Sequence, residues 1–275
     1  MPELPEVQTV VTGLNKMLRD KKIVNTHIYD EMVIGYPEKE DFISLSEGKK
    51  IKSLTRRGKY IIINFSDNKH KLVIHLRMSG KLLYKKRNDE KDKHTHVIFE
   101  FDDDTDLRFN NIRKFGRLYF ITENELEEAG NLSNLGIEPL SDEFTLDLFE
   151  EMVDGRKGMI KPLIMNQEFI AGVGNIYADE ALFMSNIRPD RKANTLSEQE
   201  IEDLYNAIRK ILKKGIKMGG TSVSDYVNAL GKSGKFQHEL NVYKKEGEKC
   251  EKCGEAIEKK KVSGRSARFC PNCQD

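Results

Sequence analysis

The chain has 275 residues, and 38% of them are hydrophobic. That is enough apolar material for one large domain or two modest ones, and too much for a disordered chain. We find no run of eighteen apolar residues and no basic stretch followed by an apolar one at the start, so we expect neither a membrane span nor a secretory signal and predict a cytoplasmic protein. The net charge is only +1, which by itself argues against a polyanionic partner.

The charges, however, are unevenly distributed along the chain. Residues 48–87 hold thirteen Lys or Arg and one acid, Asp67, whereas residues 122–154 hold eleven Asp or Glu and no Lys or Arg. From Gly231 to the end there are eleven basic and seven acidic residues. This asymmetry favours a basic face for a polyanion such as nucleic acid, although the solvated surface of an ordinary Lys-rich protein is an alternative interpretation.

The hydrophobic pattern changes from a helix to strands and back to helices. Residues 5–20 have apolar side chains at helical spacing, which predicts an amphipathic helix. Past Thr122 the pattern is helical again, and Ser197 with Glu200 forms a capping box before an apolar stripe. Residues 131–141 are the predicted linker between the two halves. Between the first helix and Thr122, short β-branched or aromatic runs predict a β-sandwich or barrel: 23–29, 51–55, 60–65, 72–76, 97–101, 106–109 and 118–121.

All four cysteines fall in the last 26 residues, as two Cys-x2-Cys pairs separated by sixteen residues: Cys250, Cys253, Cys270 and Cys273. This spacing predicts a structural zinc site, because two intervening residues let one tight turn present both sulfurs to a tetrahedral ion. Disulfides are the alternative, which the expected cytoplasmic location disfavours. A closed four-thiolate site leaves no open position for catalysis, and the five basic residues between the pairs suit a hairpin that touches phosphate.

The chain begins Met-Pro-Glu, which is a candidate nucleophilic terminus. Removal of Met1 would leave Pro2 with a free secondary amine, and an α-amino group titrates near about pH 8, so part of it is neutral at physiological pH. Such an amine can attack an aldehydic or glycosidic carbon and form an iminium. Glu3 and Glu6 are nearby candidates for donating a proton or orienting the amine. A proline without function is the alternative, and a retained Met1 would make the Pro2 nitrogen an amide.

Several motifs occur in an order that matches one known family. They are PELPEV at 2–7, RRGKY at 56–60, HLRMSG at 75–80, IRKFG at 112–116, GVGNIYADEALF at 172–183 and the terminal cysteine pairs. With these motifs the chain resembles the bacterial formamidopyrimidine-DNA glycosylases, which excise oxidised purines and then cut the strand. The resemblance runs from residue 2 to residue 273.

The resemblance implies an α+β fold. It implies an N-terminal catalytic β-sandwich domain with flanking helices over residues 1–130, the linker at 131–141, and a helical domain with a helix–two-turn–helix element over 142–238. A terminal zinc finger over 239–275 would hold one structural zinc.

The resemblance also assigns catalytic roles. Pro2 would attack C1′ of the damaged nucleoside, and Glu3 would protonate the sugar ring oxygen as it opens. Lys59 would assist proton transfer during elimination. Arg265 would contact the phosphates that flank the lesion and donate a proton in δ-elimination. Glu6 stands beside this set as a further candidate.

The damaged base lies inside the duplex stack, so an enzyme must evert it and fill the void. Met78, Arg113 and Phe115 match the family's positions for a flexible apolar wedge, a partner for the orphaned base and a stacking ring. Without the resemblance, Met78 and Phe115 would be assigned to the core, Arg113 to an ion pair and Lys59 to a solvated strand edge.

Further DNA contacts are implied at His94, Arg156 and Lys161. Asn175 follows two glycines that let the backbone approach a phosphate at a helix start. The polar, glycine-rich segment 219–235 matches the loop that closes over the everted base in the family.

These features predict a monomeric enzyme whose partner is damaged double-stranded DNA, with no membrane. An endonuclease VIII type enzyme, which removes oxidised pyrimidines, is the nearest alternative; Leu4, Pro5 and the HLRMSG segment favour the purine branch. A non-catalytic zinc-ribbon DNA-binding protein would explain the cysteines and the basic clusters, but not Pro2, Glu3 and Lys59 together.

Overall fold

The structure is a computed structural model that describes residues 1–222 and 226–275. It divides into two compact units, residues 1–134 with 219–235 and residues 135–218 with 236–275. The break after residue 134 falls inside the predicted linker. The segment 219–235, which the predicted boundaries place in the helical domain, belongs to the first unit, where the Thr221 N–H bonds to the Glu6 carboxylate. The other predicted boundaries stay predictions.

The first unit consists mainly of two β-sheets with helices beside them. One sheet has the strand order β1-β7-β8-β6 and the other β2-β9-β5-β4-β3, and all neighbours are antiparallel except β2 and β9. The elements are α1 (Leu4–Leu18), β1 (Ile23–Ile28), β2 (Ile34–Tyr36), α2 (Lys39–Ser46), β3 (Ile51–Arg57), β4 (Tyr60–Phe65), β5 (His70–His75), β6 (Gly80–Lys86), β7 (Thr95–Phe101), β8 (Thr105–Asn111) and β9 (Arg117–Thr122).

The core of this unit lies between the two sheets. Phe99 and Phe109 of the first sheet and Ile63 and Phe120 of the second belong to one buried cluster, which Val7 of α1 joins. Burial of such apolar side chains contributes about 1.5–3 kcal/mol each, so this layer dominates the stability of the unit. The predicted β-sandwich is confirmed.

The seven predicted strands are present, but β2, β6 and α2 were not predicted. In β6 Leu82 is buried and Tyr84 packs against the core, as a strand requires. Lys81, Lys85 and Lys86 surround them, and they dilute the apolar signal of this strand.

The second unit is helical and ends in a two-stranded hairpin. Its elements are α3 (Leu146–Val153), α4 (Ile160–Met165), α5 (Asn175–Met184), α6 (Glu198–Lys217), β10 (Glu258–Val262) and β11 (Arg265–Phe269). The predicted capping box is confirmed: Ser197 Oγ accepts the Glu200 N–H at 3.3 Å, and the Glu200 carboxylate accepts the Ser197 N–H at 2.8 Å. Among the described residues, no helix has the length and apolar character needed to cross a membrane.

Candidate functional site

The N-terminus of α1 is buried. Pro2 precedes the helix, and Glu3 is its N-cap. The Glu3 N–H donates to Glu6 Oε2 at 2.8 Å, and the two glutamates are only 3% and 1% exposed. Because Met1 acylates the Pro2 nitrogen in this chain, a nucleophilic amine forms only when Met1 is removed.

Two side-chain contacts direct this terminus toward the turn that carries Lys59. Asn15 accepts the Leu54 N–H at 2.7 Å, and the Arg56 guanidinium donates to Gln8 at 3.1 Å, so α1 runs opposite to β3. The N-terminus lies about 9 Å along α1 from Gln8, and Lys59 lies within about 10 Å of Arg56 along the chain. The N-terminus of α1 and the Lys59 turn therefore lie at the same end of the sandwich.

Lys59 itself lies in the tight turn between β3 and β4. Arg57 pairs with Tyr60 across this turn, and Gly58 takes a φ of +55°, a conformation that glycine adopts without strain. Lys59 is only 5% exposed. The alternative interpretation of Lys59 as one more lysine on a solvated strand edge is therefore wrong.

His75, at the end of β5, lies next to this turn and was not singled out from the sequence. It pairs with Tyr60, and the two rings meet edge to face at 4.5 Å. Burial lowers the pKa of His75 to about 3, and the positive charges of Arg77 and Lys59 lower it further. Its Nδ1 accepts the Arg77 N–H at 2.9 Å, so the neutral ring carries its proton on Nε2. Its position in the HLRMSG motif was the available signal.

The three predicted wedge residues lie on two adjacent loops. Met78 and Phe115 are 43% and 50% exposed, so neither belongs to the core, and the Arg113 guanidinium stands 5.1 Å from the centre of the Phe115 ring. Ser79 connects the loops, because its hydroxyl donates to the Asn111 side chain at 2.9 Å and accepts the Arg113 N–H at 3.1 Å. The structure therefore brings Met78, Arg113 and Phe115 together as an exposed group.

His94 is held near the second of these loops. It is half-buried, and its carbonyl accepts the Asn111 N–H at 2.9 Å. Sequence reasoning missed Arg108, which organises the preceding loop: its guanidinium donates to the carbonyls of Glu90 and Asp89, each at 2.9 Å, and to Asp106. An arginine inside the predicted strand 106–109 was the available sequence signal.

The segment 219–235 contacts the first turn of α1. Thr221 donates its N–H to Glu6 Oε1 at 2.7 Å, and the Tyr226 hydroxyl donates to the Glu6 carbonyl at 3.3 Å. At Gly220 the φ is +79°, and a Cβ there would lie 2.9 Å from Glu6 Cγ, so the close approach requires glycine. Residues 223–225 lie outside the described part of the chain, and closure of this loop over a base stays a prediction.

In the second unit, Lys161 is not placed as expected for a DNA contact. It is 1% exposed; its ammonium donates to the Ser266 carbonyl at 2.6 Å and lies 2.7 Å from Asp179 Oδ1. Burial raises the pKa of Asp179, and the Lys161 charge opposes that rise. The Lys161 ammonium therefore binds other buried groups of the protein. A sequence match does not show whether such a side chain is buried or exposed.

Of the other predicted contacts of this unit, Arg156 and Arg265 are exposed and Asn175 is half-buried. Arg156 is exposed, with its guanidinium 5.7 Å from the centre of the Phe169 ring. Asn175 opens α5, and in the described part of the chain its Oδ1 is buried without a hydrogen-bond partner. Arg265 opens β11, is exposed and lines a cavity of about 220 Å³ together with Asn166.

The four cysteines are close enough to bind one metal ion. Their sulfurs all lie within 4.8 Å of one another, with 3.9 Å between Cys250 and Cys273 and 3.4 Å between Cys253 and Cys270. Tetrahedral zinc with Zn–S bonds of about 2.3 Å separates its sulfurs by about 3.8 Å, so the cluster fits the ion. Hydrogen bonding from the Glu255 N–H lowers the pKa of the Cys253 thiol to about 6, which favours the thiolate that zinc binds.

Known protein families and individual relatives match this chain over nearly its whole length. Family models match the Formamidopyrimidine-DNA glycosylase N-terminal domain at residues 1–118, the Formamidopyrimidine-DNA glycosylase H2TH domain at 135–227 and the zinc finger found in FPG and IleRS at 247–275. The formamidopyrimidine-DNA glycosylases of Pelotomaculum thermopropionicum and Pediococcus pentosaceus are each 44% identical to this chain, and each alignment covers 100% of the chain and 99% of the relative.

Solved structures give the same result. A Lactococcus lactis FPG mutant in complex with Fapy-dG-containing DNA superimposes with a TM-score of 0.93 at 38% identity over 100% of both chains. The wild-type L. lactis protein with DNA that contains an oxidised pyrimidine gives 0.92 at 38% identity, again over 100% of both chains. The chain therefore belongs to the formamidopyrimidine-DNA glycosylase family.

Proposed function

We propose that the chain excises oxidised purines, 8-oxoguanine and formamidopyrimidines among them, from double-stranded DNA and then cuts the strand by β,δ-elimination. Membership of the family makes it a DNA repair glycosylase for oxidised bases. The observation that carries the detailed proposal is the burial of Pro2 and Glu3 at a helix terminus that points toward the buried Lys59.

The chemistry begins when the Pro2 amine, freed of Met1, attacks C1′. The bond from C1′ to the base breaks, the base leaves with that electron pair and takes up a proton, and the amine nitrogen loses its own proton. Glu3 protonates the sugar ring oxygen as the ring opens, and nitrogen and C1′ form an iminium. The iminium withdraws electrons, so the C2′ proton becomes acidic; its loss expels the 3′ phosphate. A second elimination expels the 5′ phosphate. Lys59 assists these proton transfers, and Arg265 donates a proton in the second elimination.

The exposed wedge group supports the DNA-bound state. Eversion of a base costs about a few kcal/mol, because the base loses its stacking and pairing. Side chains that enter the void compensate for this cost. Met78 enters the stack, Arg113 bonds to the orphaned base and Phe115 stacks beside it. His94, Arg156 and Asn175 bind phosphates. The L. lactis relative was solved with Fapy-dG-containing DNA, which supports damaged DNA as the substrate of this chain.

We further propose that the enzyme acts as a monomer in the bacterial cytoplasm, on the DNA of the nucleoid. A DNA substrate and bacterial relatives support this location. One structural zinc in the cysteine cluster stabilises the finger that carries Arg265.

Oxidised pyrimidines are the second candidate substrate class, because the wild-type L. lactis relative was solved with DNA that contains one. The two classes are separated by comparing excision from duplexes that carry 8-oxoguanine, a formamidopyrimidine or an oxidised pyrimidine. We expect kcat/KM on the two purine lesions to exceed that on the pyrimidine by at least tenfold. A preference for the pyrimidine would overturn the purine assignment.

Borohydride trapping on an abasic duplex tests the nucleophile. After mass spectrometry has verified Met1 removal, we expect a covalent protein–DNA adduct with the parent and none with Pro2→Gly at matched time. Pro5→Gly, three residues further on, serves as the control for general damage to the terminus. Undiminished trapping by Pro2→Gly would show that another amine is the nucleophile.

A further inference from the structure

The hairpin that carries Arg265 is a two-stranded sheet of β10 and β11. An ion pair lies against the outer edge of β11. Val262 pairs with Arg265 across the turn at Ser263 and Gly264, and Lys260 pairs with Ala267. In a hairpin with a two-residue turn, the residues beside the turn and every second one after them exchange both hydrogen bonds with the partner strand. The carbonyl of Ser266 and the N–H of Arg268 therefore point away from β10.

Lys161 and Asp179 satisfy these two outward-pointing groups. Lys161 of α4 donates to the Ser266 carbonyl at 2.6 Å, and Asp179 of α5 accepts the Arg268 N–H at 3.2 Å. The two side chains lie 2.7 Å apart. Together they supply a donor to one residue and an acceptor two residues later, which is what one residue of a neighbouring parallel strand would supply.

The ion pair is almost completely excluded from water. Lys161 is 1% exposed and Asp179 is 0% exposed. Burying charges is costly unless they are paired and hydrogen-bonded, and here each partner also hydrogen-bonds to the backbone of β11. Arg265 is the residue directly before Ser266, on the strand that is held.

The same arrangement relates Arg265 to the proposed phosphate contact of α5. Asn175 and Asp179 are four residues apart on this helix, so they lie on one face, one turn from each other. Asp179 therefore connects the helix end that carries Asn175 to the strand that carries Arg265.

We propose that Lys161 and Asp179 are positioning residues that hold β11 so that Arg265 reaches the phosphate that leaves in δ-elimination. This inference rests on the proposed function, and it replaces the direct DNA contact expected for Lys161. It predicts that disruption of the pair impairs the second elimination more than the first.

The test uses the zinc-loaded full-length enzyme on an abasic duplex, with separate quantification of β- and δ-elimination products. We expect Asp179→Asn to lower the δ-to-β product ratio at least fivefold, while borohydride trapping stays within twofold of the parent. The double variant Lys161→Met, Asp179→Leu removes both charges and leaves no unpaired one; its ratio is expected to fall as far as that of Arg265→Ala. Lys161→Arg retains a donor and is expected to keep more than half of the parent ratio.

Each result has one meaning when zinc content and melting temperature are measured on every variant. A parent that is not trapped and yields no δ product would refute the proposed function. A parent that forms both products, with an unchanged ratio in Asp179→Asn and in the double variant, would refute the positioning role alone. Should the double variant lose zinc, Asp179→Asn and Lys161→Arg, compared at full zinc occupancy, decide the question by the same ratio.

Discussion

Glu6 and Thr221 are 215 residues apart in the chain, yet the Glu6 carboxylate accepts the Thr221 N–H at 2.7 Å. The other carboxylate oxygen accepts the Glu3 N–H at 2.8 Å. One buried side chain therefore holds both the proposed proton donor at the N-terminus and the glycine-rich segment 219–235. Glu6 is suited to orient these elements, because both of its oxygens accept backbone N–H groups.

Replacement of Glu6 by Gln tests this connection. A glutamine side chain has one acceptor oxygen instead of two, so either Glu3 or Thr221 loses its partner, at a cost of about 1–3 kcal/mol for a buried donor. We expect kcat for base excision to fall at least tenfold. Single-turnover kinetics on an 8-oxoguanine duplex measure this.

The matched control is Glu38→Gln, an isosteric change outside the α1 terminus, in the turn before α2. It is expected to leave excision within twofold of the parent. Equal activity of the Glu6→Gln variant and the control would show that the two backbone contacts do not matter for excision.

Arg108 is the second structural connection that we expect to affect DNA binding. It is 4% exposed, and its partner Asp106 is 2% exposed. Arg108→Ala leaves Asp106 buried without this partner and frees the carbonyls of the loop before His94, so we expect a loss of about 3–5 kcal/mol in the free energy of unfolding. We also expect weaker binding to an abasic duplex. Urea denaturation and fluorescence anisotropy measure the two effects.

Lys85→Ala, an exposed change near the end of β6 and just before the same loop, controls for the loss of one positive charge. It is expected to change the free energy of unfolding by less than about 0.5 kcal/mol. If Arg108→Ala were as stable as Lys85→Ala, the loop would not depend on the buried guanidinium.

Much of the fold followed from local patterns in the sequence. Short β-branched or aromatic runs such as 60–65 and 97–101 predicted strands, and most of their apolar side chains are buried. The capping box at Ser197 predicted the start of α6 because its signal lies within four residues. The association of 219–235 with the first unit depends on Glu6, far away in the chain, and no local pattern contains it.

The charge pattern was informative in part. The basic segment 48–87 does contain Lys59, but Lys49 pairs with Asp67 and Lys71 with Glu123, the first acid of the acidic segment. Part of the predicted asymmetry is therefore neutralised within the first unit. Lys161, which the family resemblance implies as a DNA contact, is buried, because a motif match reports a charge and not its exposure.

Zinc is expected to be necessary for the folding of the zinc finger and not for the folding of the β-sandwich. Cys250, Cys270 and Phe183 of α5 share one small buried cluster, separate from the core between the sheets. Cys250→Ser should abolish the one-to-one zinc stoichiometry and weaken binding to duplex DNA at least tenfold. Atomic absorption and anisotropy measure these changes, and near-ultraviolet circular dichroism follows the aromatic β-sandwich. Unchanged DNA affinity in the zinc-free variant would contradict the role of the finger.

His75 gives a prediction about pH. Its pKa is lowered to about 3 by burial and by the positive charges of Arg77 and Lys59, whereas an unfolded histidine titrates near about 6.5. The unfolded state therefore binds a proton that the native state rejects, so stability is full above pH 6.5 and falls as the pH drops toward 3, by about 4 kcal/mol from this residue. Urea unfolding of the parent and of His75→Gln at pH 7, 5 and 4 measures the difference, and the variant should lose less stability over this range. The exposed His238→Gln should behave like the parent. An NMR titration that shows His75 protonating near pH 6.5 in the folded protein would refute the assignment.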